Sequence, residues 1–268
     1  MPRCDANGVS LYYERSGSGA QLLVISGTGG DLRDGLRVSD GPLGRSFEVL
    51  AYDQRGLGRS STPPSPYGMA DFAHDAAGLL EHVGWEDCVV LGVSFGGMVA
   101  QELAIGHPAK VRRLVLACTS AGGAGGASFP LHELVDLDPE ERAVTQMELL
   151  DTRWDAGWRR ANPELAAMVH QRARLDRAGE PGLANQLAAR ARHDTAARLG
   201  QIDCPTLVCG GRYDGIAPPA NSEFLAASIP GARLALFEGG HPFFVQDPAA
   251  LPVIAAFLEP GAAARTDP

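Results

Sequence analysis

Residues 89–97 read VVLGVSFGG, and this stretch decides the fold. It contains the pattern Gly-x-Ser-x-Gly, with Ser94 between Gly92 and Gly96. The apolar run before the serine indicates a buried strand, and residues 98–104 have a helical pattern. So sharp a turn from strand to helix needs small residues at Gly92 and Gly96, where a Cβ would clash with neighbouring backbone. Ser94 is therefore predicted to present its hydroxyl at the apex of the turn, the position of a nucleophile. The five-residue pattern also arises by chance, so the motif alone is weak evidence. The strand pattern before it and the helix pattern after it favour a nucleophilic serine over an ordinary serine in a turn.

The composition bounds the class of protein. The chain has 268 residues, 45% of them hydrophobic, which predicts one large α/β domain or one such domain with an insertion. No apolar run is long enough to span a bilayer and the start has no hydrophobic signal region, so we expect a cytoplasmic protein. The net charge of −9 disfavours nucleic acid and membrane as partners. Five cysteines without Cys-x-x-Cys spacing fit reduced thiols.

One stretch of the chain is basic in spite of the negative net charge. Its arginines are Arg172, Arg174, Arg177, Arg190, Arg192 and Arg198. Acidic and apolar residues interleave with them, so we interpret these arginines as the solvated face of helices.

Strand and helix patterns alternate along most of the chain. Besides the strand before Ser94, apolar or alternating runs predict strands at residues 9–14, 21–26, 47–53, 111–118, 206–210 and 233–237. Besides the helix after Ser94, helical patterns cover residues 71–83 and 248–258. This alternation predicts a mostly parallel, doubly wound sheet with helices on both faces.

The alternation stops in the middle of the chain. Residues 121–127 read AGGAGGA, a composition typical of a flexible linker. From residue 139 to about 199 the chain is rich in Ala, Arg, Glu and Leu, with helix punctuation at Pro163 and Pro181 and no strand pattern. We therefore expect a core domain of residues 1–120 and 200–268, with a helical cap of residues 121–199 inserted in it.

A nucleophilic serine needs a base to take its proton and an acid to hold that base. Asp214 comes shortly after one predicted strand, and His241 follows the last one. Loops at the carboxyl ends of parallel strands meet at one edge of the sheet. The chain order Ser94, Asp214, His241 is that of a catalytic triad on a doubly wound sheet.

Two other carboxylates compete for the role of the acid. Asp53 and Asp203 are interpreted as turn or supporting residues, because neither follows the strand that would aim it at His241. The other place for an acid, after the strand at 111–118, holds Thr119 and Ser120 and no carboxylate. The remaining histidines show no paired ligand spacing, so we expect no metal and no other cofactor.

Further segments extend the pattern beyond the serine motif. Residues 52–60 read YDQRGLGRS, residues 204–208 read CPTLV and residues 229–232 read IPGA. Together with the candidate triad, they make nearly the whole chain outside the insertion resemble the α/β-hydrolase fold family. The resemblance is to the group of 3-oxoadipate enol-lactonases, aclacinomycin-type methylesterases and related small esterases. It implies an α/β-hydrolase fold with a helical cap and a serine hydrolase activity.

The resemblance also implies an oxyanion hole made of two backbone N–H groups. One belongs to Phe95, and the other comes from a loop in which the family often has His-Gly-x-Gly. Here residues 26–30 read SGTGG, so the matching donor is Thr28 and Ser26 replaces the usual histidine. Because the donated hydrogen bonds are main-chain, we expect the hole to be retained, with the hydroxyls of Ser26 and Thr28 free to touch substrate.

Substrate selection is expected in the cap. Apolar side chains there are candidates to line a pocket over the site: Met147, Leu150, Trp154, Trp158, Met168 and Leu175. The alternative is that each of them only packs the cap on itself.

The leading interpretation of the function is hydrolysis of a small or medium carboxylic ester or lactone through an acyl-enzyme. Two alternatives stay open. The same residues would serve a C–C bond hydrolase or an acyltransferase, and the fold would also serve a ligand-binding receptor without catalysis. The expected partner is a small-molecule substrate, and the sequence is compatible with a homodimer.

Overall fold

The computed structural model describes residues 2–33, 41–174 and 181–259. Its strands are β1 (Arg3–Ala6), β2 (Val9–Gly17), β3 (Ala20–Ile25), β4 (Phe47–Tyr52), β5 (Cys88–Val93), β6 (Val111–Ala117), β7 (Thr206–Gly211) and β8 (Arg233–Phe237). They form one sheet in the order β1-β2-β4-β3-β5-β6-β7-β8. β2 runs antiparallel to β1 and β4, and the other neighbours are parallel. The predicted mostly parallel sheet is confirmed.

Helices cover both faces of this sheet. They are α1 (Pro42–Ser46), α2 (Met69–His82), α3 (Phe95–Gly106), α4 (Pro139–Leu150), α5 (Ala156–Ala161), α6 (Pro163–Arg174), α7 (Pro181–Ala191), α8 (Pro219–Ser228), α9 (Phe243–Gln246) and α10 (Ala250–Leu258). Along β3, Leu23 and Ile25 pack on the side of α2 and α3, whereas Leu22 and Val24 pack on the side of α1 and α10. Apolar side chains on both faces explain why the central strands read as continuous apolar runs.

Three short elements did not stand out in the sequence. β1 has four residues, α1 has five and α9 has four, too few to show a helical or strand period. β1 exists because it pairs with β2, so that Cys4 lies opposite Leu11 and both are buried. Such a short strand is therefore determined by its pairing with another strand and not by its own residue pattern.

The glycine-rich stretch at 121–127 is more ordered than its composition predicts. Ala121 is fully buried, and Gly122 forms a β-bridge with Asp194. A Cβ on Gly122 would lie 1.9 Å from the carbonyl oxygen of His193, and its φ is +67°. Gly122 and Gly123 therefore allow a close approach to residues 193–194, and the expectation of a flexible linker is wrong at these two positions.

Between β6 and β7, α-helices α4 to α7 and short 3₁₀ turns replace the strand–helix alternation. Asp138 caps α4 by accepting the N–H groups of Glu140 and Glu141. Pro163 and Pro181 each stand at the first position of a helix, which confirms them as helix punctuation. Arg190, at the end of α7, is only 6% exposed. The interpretation of the arginines as a solvated face is therefore wrong at this position.

Within the part of the chain that the structure describes, no helix combines the length and the apolar character needed to cross a membrane.

Candidate active site

Ser94 lies in a sharp turn between β5 and α3. Its backbone has φ 53° and ψ −116°, a conformation that a residue with a side chain rarely adopts. The turn holds because its neighbours are small: a Cβ on Gly96 would lie 2.0 Å from the carbonyl oxygen of Ile25, and one on Gly92 would lie 2.5 Å from that of Gly96. The N–H of Ser94 donates to the carbonyl of Ala117 on the neighbouring strand at 2.8 Å. The hydroxyl therefore sits at the carboxyl edge of the sheet on a rigid turn.

Asp214 and His241 form a hydrogen-bonded pair at the same edge. Asp214 follows β7 and is 3% exposed, and its Oδ2 lies 2.8 Å from Nδ1 of His241. Its Oδ1 accepts the N–H groups of Ile216 and Ala217, both at 2.8 Å. A carboxylate only accepts hydrogen bonds, so Nδ1 of a neutral His241 carries the hydrogen and Nε2 is left as the acceptor. This is the tautomer that a general base needs.

Close backbone packing places the loop of His241. Gly239 has φ +138°, and a Cβ on Gly240 would lie 2.0 Å from the carbonyl oxygen of Leu150 at the end of α4. The same carbonyl accepts the N–H of His241 at 2.6 Å. A Cβ on Gly211, at the end of β7, would lie 2.0 Å from the carbonyl oxygen of Gly240. The glycines thus let the end of α4, the end of β7 and the loop before His241 pack backbone against backbone.

A buried carboxylate that the sequence analysis missed braces this loop. Asp151 is fully buried, and it accepts Nε2 of Gln246 at 3.0 Å and the side chain of Arg153 at 2.7 and 2.9 Å. Gln246 in turn accepts the N–H of Gly240 at 2.7 Å. Burial alone would raise the pKa of Asp151, but the hydrogen bonds and charge of Arg153 hold that pKa below its ordinary value. Nothing near residue 151 in the sequence indicates this role, because its partners are distant in the chain.

The same brace reaches the loop of Asp214. The guanidinium of Arg153 lies over the ring of Tyr213, 4.0 Å from its centre. The N–H of Thr152 donates to the carbonyl of Tyr213 at 2.9 Å, and the N–H of Gly215 donates to that of Leu149 at 3.0 Å. The end of α4 is therefore bonded to the residues on both sides of Asp214.

The loop at residues 26–30 passes beside Ser94. A Cβ on Gly27 would lie 3.4 Å from Cβ and 3.9 Å from Oγ of Ser94. The carbonyl of Ser26 accepts Nε2 of Gln54 at 2.9 Å, and the N–H of Gly29 donates to Oε1 of Gln186 at 2.8 Å. Gln186 comes from α7, so one of the helices between β6 and β7 helps to hold this loop. Neither glutamine stands out in the sequence as a functional residue.

One candidate oxyanion donor, Thr28, lies in this loop, and the other, Phe95, directly follows the nucleophile at the start of α3. Phe95 is the first residue of α3, so its N–H has no acceptor within the helix. Its ring is fully buried against Phe72. Thr28 lies in the loop, and its hydroxyl is buried without a hydrogen-bond partner.

The candidate pocket residues have different surroundings. Met147 is buried in α4, and the rings of Trp154 and Trp158 stack with their centres 5.1 Å apart. Leu150 is half-buried, whereas Met168 is 55% exposed on α6. Leu175 lies outside the described residues.

Neither of the two rival carboxylates, Asp53 and Asp203, has the surroundings of a catalytic acid. Asp53 is 1% exposed and accepts the N–H groups of Leu32 at 2.7 Å and Arg59 at 2.9 Å, so its two oxygens hold loop backbone. Burial raises the pKa of Asp53. Asp203 is exposed. Among residues 2–33, 41–174 and 181–259, no three His, Cys, Asp or Glu side chains cluster as metal ligands would.

Comparison with known proteins decides the family. The family model for the α/β hydrolase fold matches residues 22–248. The chain belongs to this family. The fold and the enzyme class expected from the resemblance are thereby confirmed: the protein is an α/β hydrolase.

Individual relatives refine this assignment. A poly(3-hydroxyalkanoate) depolymerase from Ectopseudomonas oleovorans is 33% identical over 241 residues, which cover 89% of this α/β hydrolase and 84% of the relative. The 3-oxoadipate enol-lactonase 2 of Acinetobacter baylyi is 31% identical over 205 residues, which cover 76% of this chain and 75% of that relative. The crystal structure of the enol-lactonase from Burkholderia xenovorans superposes with a TM-score of 0.78 at 26% sequence identity. The superposition covers 96% of this chain and 99% of the enol-lactonase chain. The predicted resemblance to enol-lactonases is confirmed.

Proposed function

We propose that this α/β hydrolase cleaves a small or medium carboxylic ester or lactone through an acyl-enzyme on Ser94. The observation that carries the proposal is the 2.8 Å pair between Asp214 and His241, at the sheet edge that also carries the strained turn of Ser94. A pure binding protein would need none of these features. The relatives named as a polyester depolymerase and as an enol-lactonase support acyl–oxygen bonds as the substrate class.

The proposed mechanism uses each group in turn. Nε2 of His241 takes the proton of Ser94 as Oγ attacks the carbonyl carbon, and Asp214 stabilises the imidazolium that forms. The N–H groups of Phe95 and Thr28 stabilise the oxyanion. The imidazolium returns the proton to the leaving alkoxide, which in a lactone stays attached as a hydroxyl. His241 then takes a proton from water as the water oxygen attacks the acyl carbon, and it returns that proton to Oγ of Ser94 as the bond between Oγ and the acyl carbon breaks and the acid leaves.

The further parts of the proposal concern the setting of this reaction. The inserted helices act as a cap, and Met147, Trp154 and Trp158 stay candidates for the pocket under it. The substrate is a soluble small molecule, and the chemistry needs neither metal nor cofactor. The five cysteines are all free, which supports a reducing compartment such as the cytoplasm.

Turnover of para-nitrophenyl and lactone substrates tests the proposal. The wild-type protein should release para-nitrophenol from short acyl esters, and Ser94→Ala should lower kcat by about 10⁴-fold or more while it leaves the folded state intact. A fluorophosphonate probe should label the wild type at Ser94 and leave Ser94→Ala unlabelled. Activity of Ser94→Ala above about a tenth of wild type would overturn the nucleophile assignment. Absence of turnover on all esters and lactones would favour the receptor interpretation.

A further inference from the structure

A fully buried glutamine on the helix after the nucleophile forms a complete set of hydrogen bonds. Gln101 lies on α3, about two helical turns after Ser94. Its Nε2 donates to the carbonyl of Ser120 at 3.0 Å and to the carbonyl of Gly97 at 3.2 Å. Its Oε1 accepts the hydroxyl of Thr195 at 2.6 Å. Because carbonyls only accept hydrogen bonds, the two carbonyls fix which end of the amide faces them.

The partners of Gln101 come from both ends of the stretch between β6 and β7. Ser120 follows β6, where the chain leaves the sheet, and Thr195 lies between α7 and β7, where the chain returns. Thr195 is fully buried, and its N–H donates to the carbonyl of Ala121 at 2.8 Å. The β-bridge described above pairs the same two ends. The outgoing and the returning chain therefore meet at one side chain of α3.

The first turn of α3 is held against the outgoing chain at the same place. The N–H of Gly97 donates to the carbonyl of Ser94 at 2.9 Å. A Cβ on Gly97 would lie 2.6 Å from Cβ of Thr119, so the helix and the outgoing chain are in close contact there. The amide of Gln101 bonds to a carbonyl on each side of this contact. Packing thus prevents the turn from moving towards the outgoing chain, and the hydrogen bonds resist movement away from it.

Hydrogen bonds at this position supply something that apolar packing does not. A buried amide is unfavourable unless its polar atoms have partners, and an apolar side chain of similar length would fill the space without that requirement. Apolar burial is not directional, however, and it leaves packed segments free to shift. The three hydrogen bonds of Gln101 fix both the distance and the orientation of the segments that supply its partners. A buried glutamine here therefore points to a need for accurate placement of α3.

We propose that Gln101 is a positioning residue for the reaction at Ser94 and that Thr195 holds Gln101 in place. The inference rests on the proposed hydrolysis, because Ser94 is its nucleophile. Through Gln101 the first turn of α3 keeps one arrangement, so that Oγ of Ser94 and the N–H of Phe95 keep their places relative to His241. Gln101 touches no reacting atom in this scheme. Its loss should therefore slow the chemical step and leave substrate binding nearly unchanged.

Ester kinetics on substituted proteins test this role. Gln101→Met removes the amide but keeps a side chain of similar length, and it should lower kcat by about tenfold to a hundredfold with KM close to that of the wild type. Thr195→Val removes only the hydroxyl and should lower kcat by a smaller factor, whereas Thr195→Ser retains the hydroxyl and should keep the wild-type kcat. Because the two residues act as one unit, adding Thr195→Val to Gln101→Met should lower kcat no further.

Glu102→Gln is the matched control. Glu102 is the next residue on α3, and it forms a two-point ion pair with Arg198 of the returning chain at 2.6 and 2.8 Å. The substitution weakens a contact between the same two segments outside the buried network, and it should keep the wild-type kcat. Circular dichroism and thermal unfolding check that each variant is folded at the assay temperature. An equal loss of kcat in Glu102→Gln and Gln101→Met, or a raised KM with unchanged kcat in Gln101→Met, would overturn the inference.

Amide hydrogen exchange separates the inference from the proposed reaction. Mass spectrometry follows the exchange of a peptide that covers residues 94–100, which should be about tenfold faster in Gln101→Met than in wild type and unchanged in Glu102→Gln. If the wild type hydrolyses no ester, the proposed reaction fails, and faster exchange in Gln101→Met still shows that Gln101 fixes this turn. Unchanged exchange in that case overturns the inference as well. A wild-type kcat in folded Gln101→Met overturns the inference and leaves the proposed hydrolysis in place.

Discussion

Substitution of Asp151 by asparagine should affect both stability and catalysis, because its carboxylate braces the loop of His241. Asparagine keeps the shape but loses the charge that pairs with Arg153, and its amide group cannot accept from Gln246 and Arg153 as the carboxylate does. Breaking a buried ion pair costs about 3–5 kcal/mol when the remaining charge stays buried. Here the side chain of Arg153 is 43% exposed, so water solvates the freed charge. We therefore expect a loss of about 1–3 kcal/mol in the free energy of unfolding.

The catalytic effect follows from the position of Gly240, which is held through Gln246. A looser loop places His241 less accurately, and a misplacement of this kind lowers kcat by about tenfold to a hundredfold. KM should change little, since Asp151 is fully buried and outside the residues proposed to touch substrate. Urea unfolding and ester kinetics on wild type and Asp151→Asn measure the two effects.

The bracing role of Asp151 also predicts how the free energy of unfolding changes with pH. The pKa of Asp151 is lowered in the folded protein, so its contribution to stability is present above about pH 4 and is lost as the pH falls through the folded-state pKa. Asp151→Asn lacks this group, so the difference in unfolding free energy between the two proteins should shrink below about pH 4. A difference that stays constant to lower pH would contradict this reasoning.

Asp75→Asn is the matched control for this experiment. It also breaks a buried carboxylate–arginine pair, but Asp75 lies in α2, and its partner Arg55 follows β4. It should cost stability without the same loss of kcat. Equal kcat values for Asp151→Asn and Asp75→Asn would refute the bracing role of Asp151, whereas a loss as large as that from removing Asp214 would make Asp151 the catalytic acid.

Three further predictions concern the proposed site. Asp214→Asn should lower kcat/KM by about 10⁴-fold, because an amide favours the wrong tautomer of His241, whereas Asp53→Asn and Asp203→Asn should lower kcat/KM far less. A severe loss for Asp53→Asn with a mild loss for Asp214→Asn would assign the catalytic acid to Asp53. Gly96→Ala should abolish activity or soluble expression, since its Cβ would lie 2.0 Å from the carbonyl oxygen of Ile25, whereas a Cβ on Gly106 meets nothing within 4 Å and Gly106→Ala should stay active. Gln186→Leu leaves the N–H of Gly29 without its acceptor and should lower kcat with little change in KM; unaltered kcat would show that α7 does not position the loop of Thr28.

The sequence alone predicts those features of the protein that depend only on residues close together in the chain. The turn at Ser94 follows from a strand, two small residues and a helix within a few positions, so its geometry was predictable from residues 89–97. The proximity of Asp214 and His241 was predictable because each follows a recognisable strand, and parallel strands end at one edge of the sheet. Buried strands such as β3 were equally visible because both of their faces are apolar.

Tertiary structure decided whatever depends on contacts between distant segments. Arg190 reads like any arginine on a helix, and only the tertiary packing of α7 buries it, with Nη1 bonded to the carbonyl of Phe129 and with Nε and Nη2 lacking a hydrogen-bond partner. Asp151 and Gln186 likewise gain their roles from hydrogen bonds to Gln246 and Gly29, far away in the chain. In the sequence, Gly122 and Gly123 are typical of a flexible linker, but in the structure they pack closely against residues 193–194. A periodic pattern records which face of an element is apolar, but it does not record which segment the fold brings against that face, and that pairing sets burial, charge and the shape of the site.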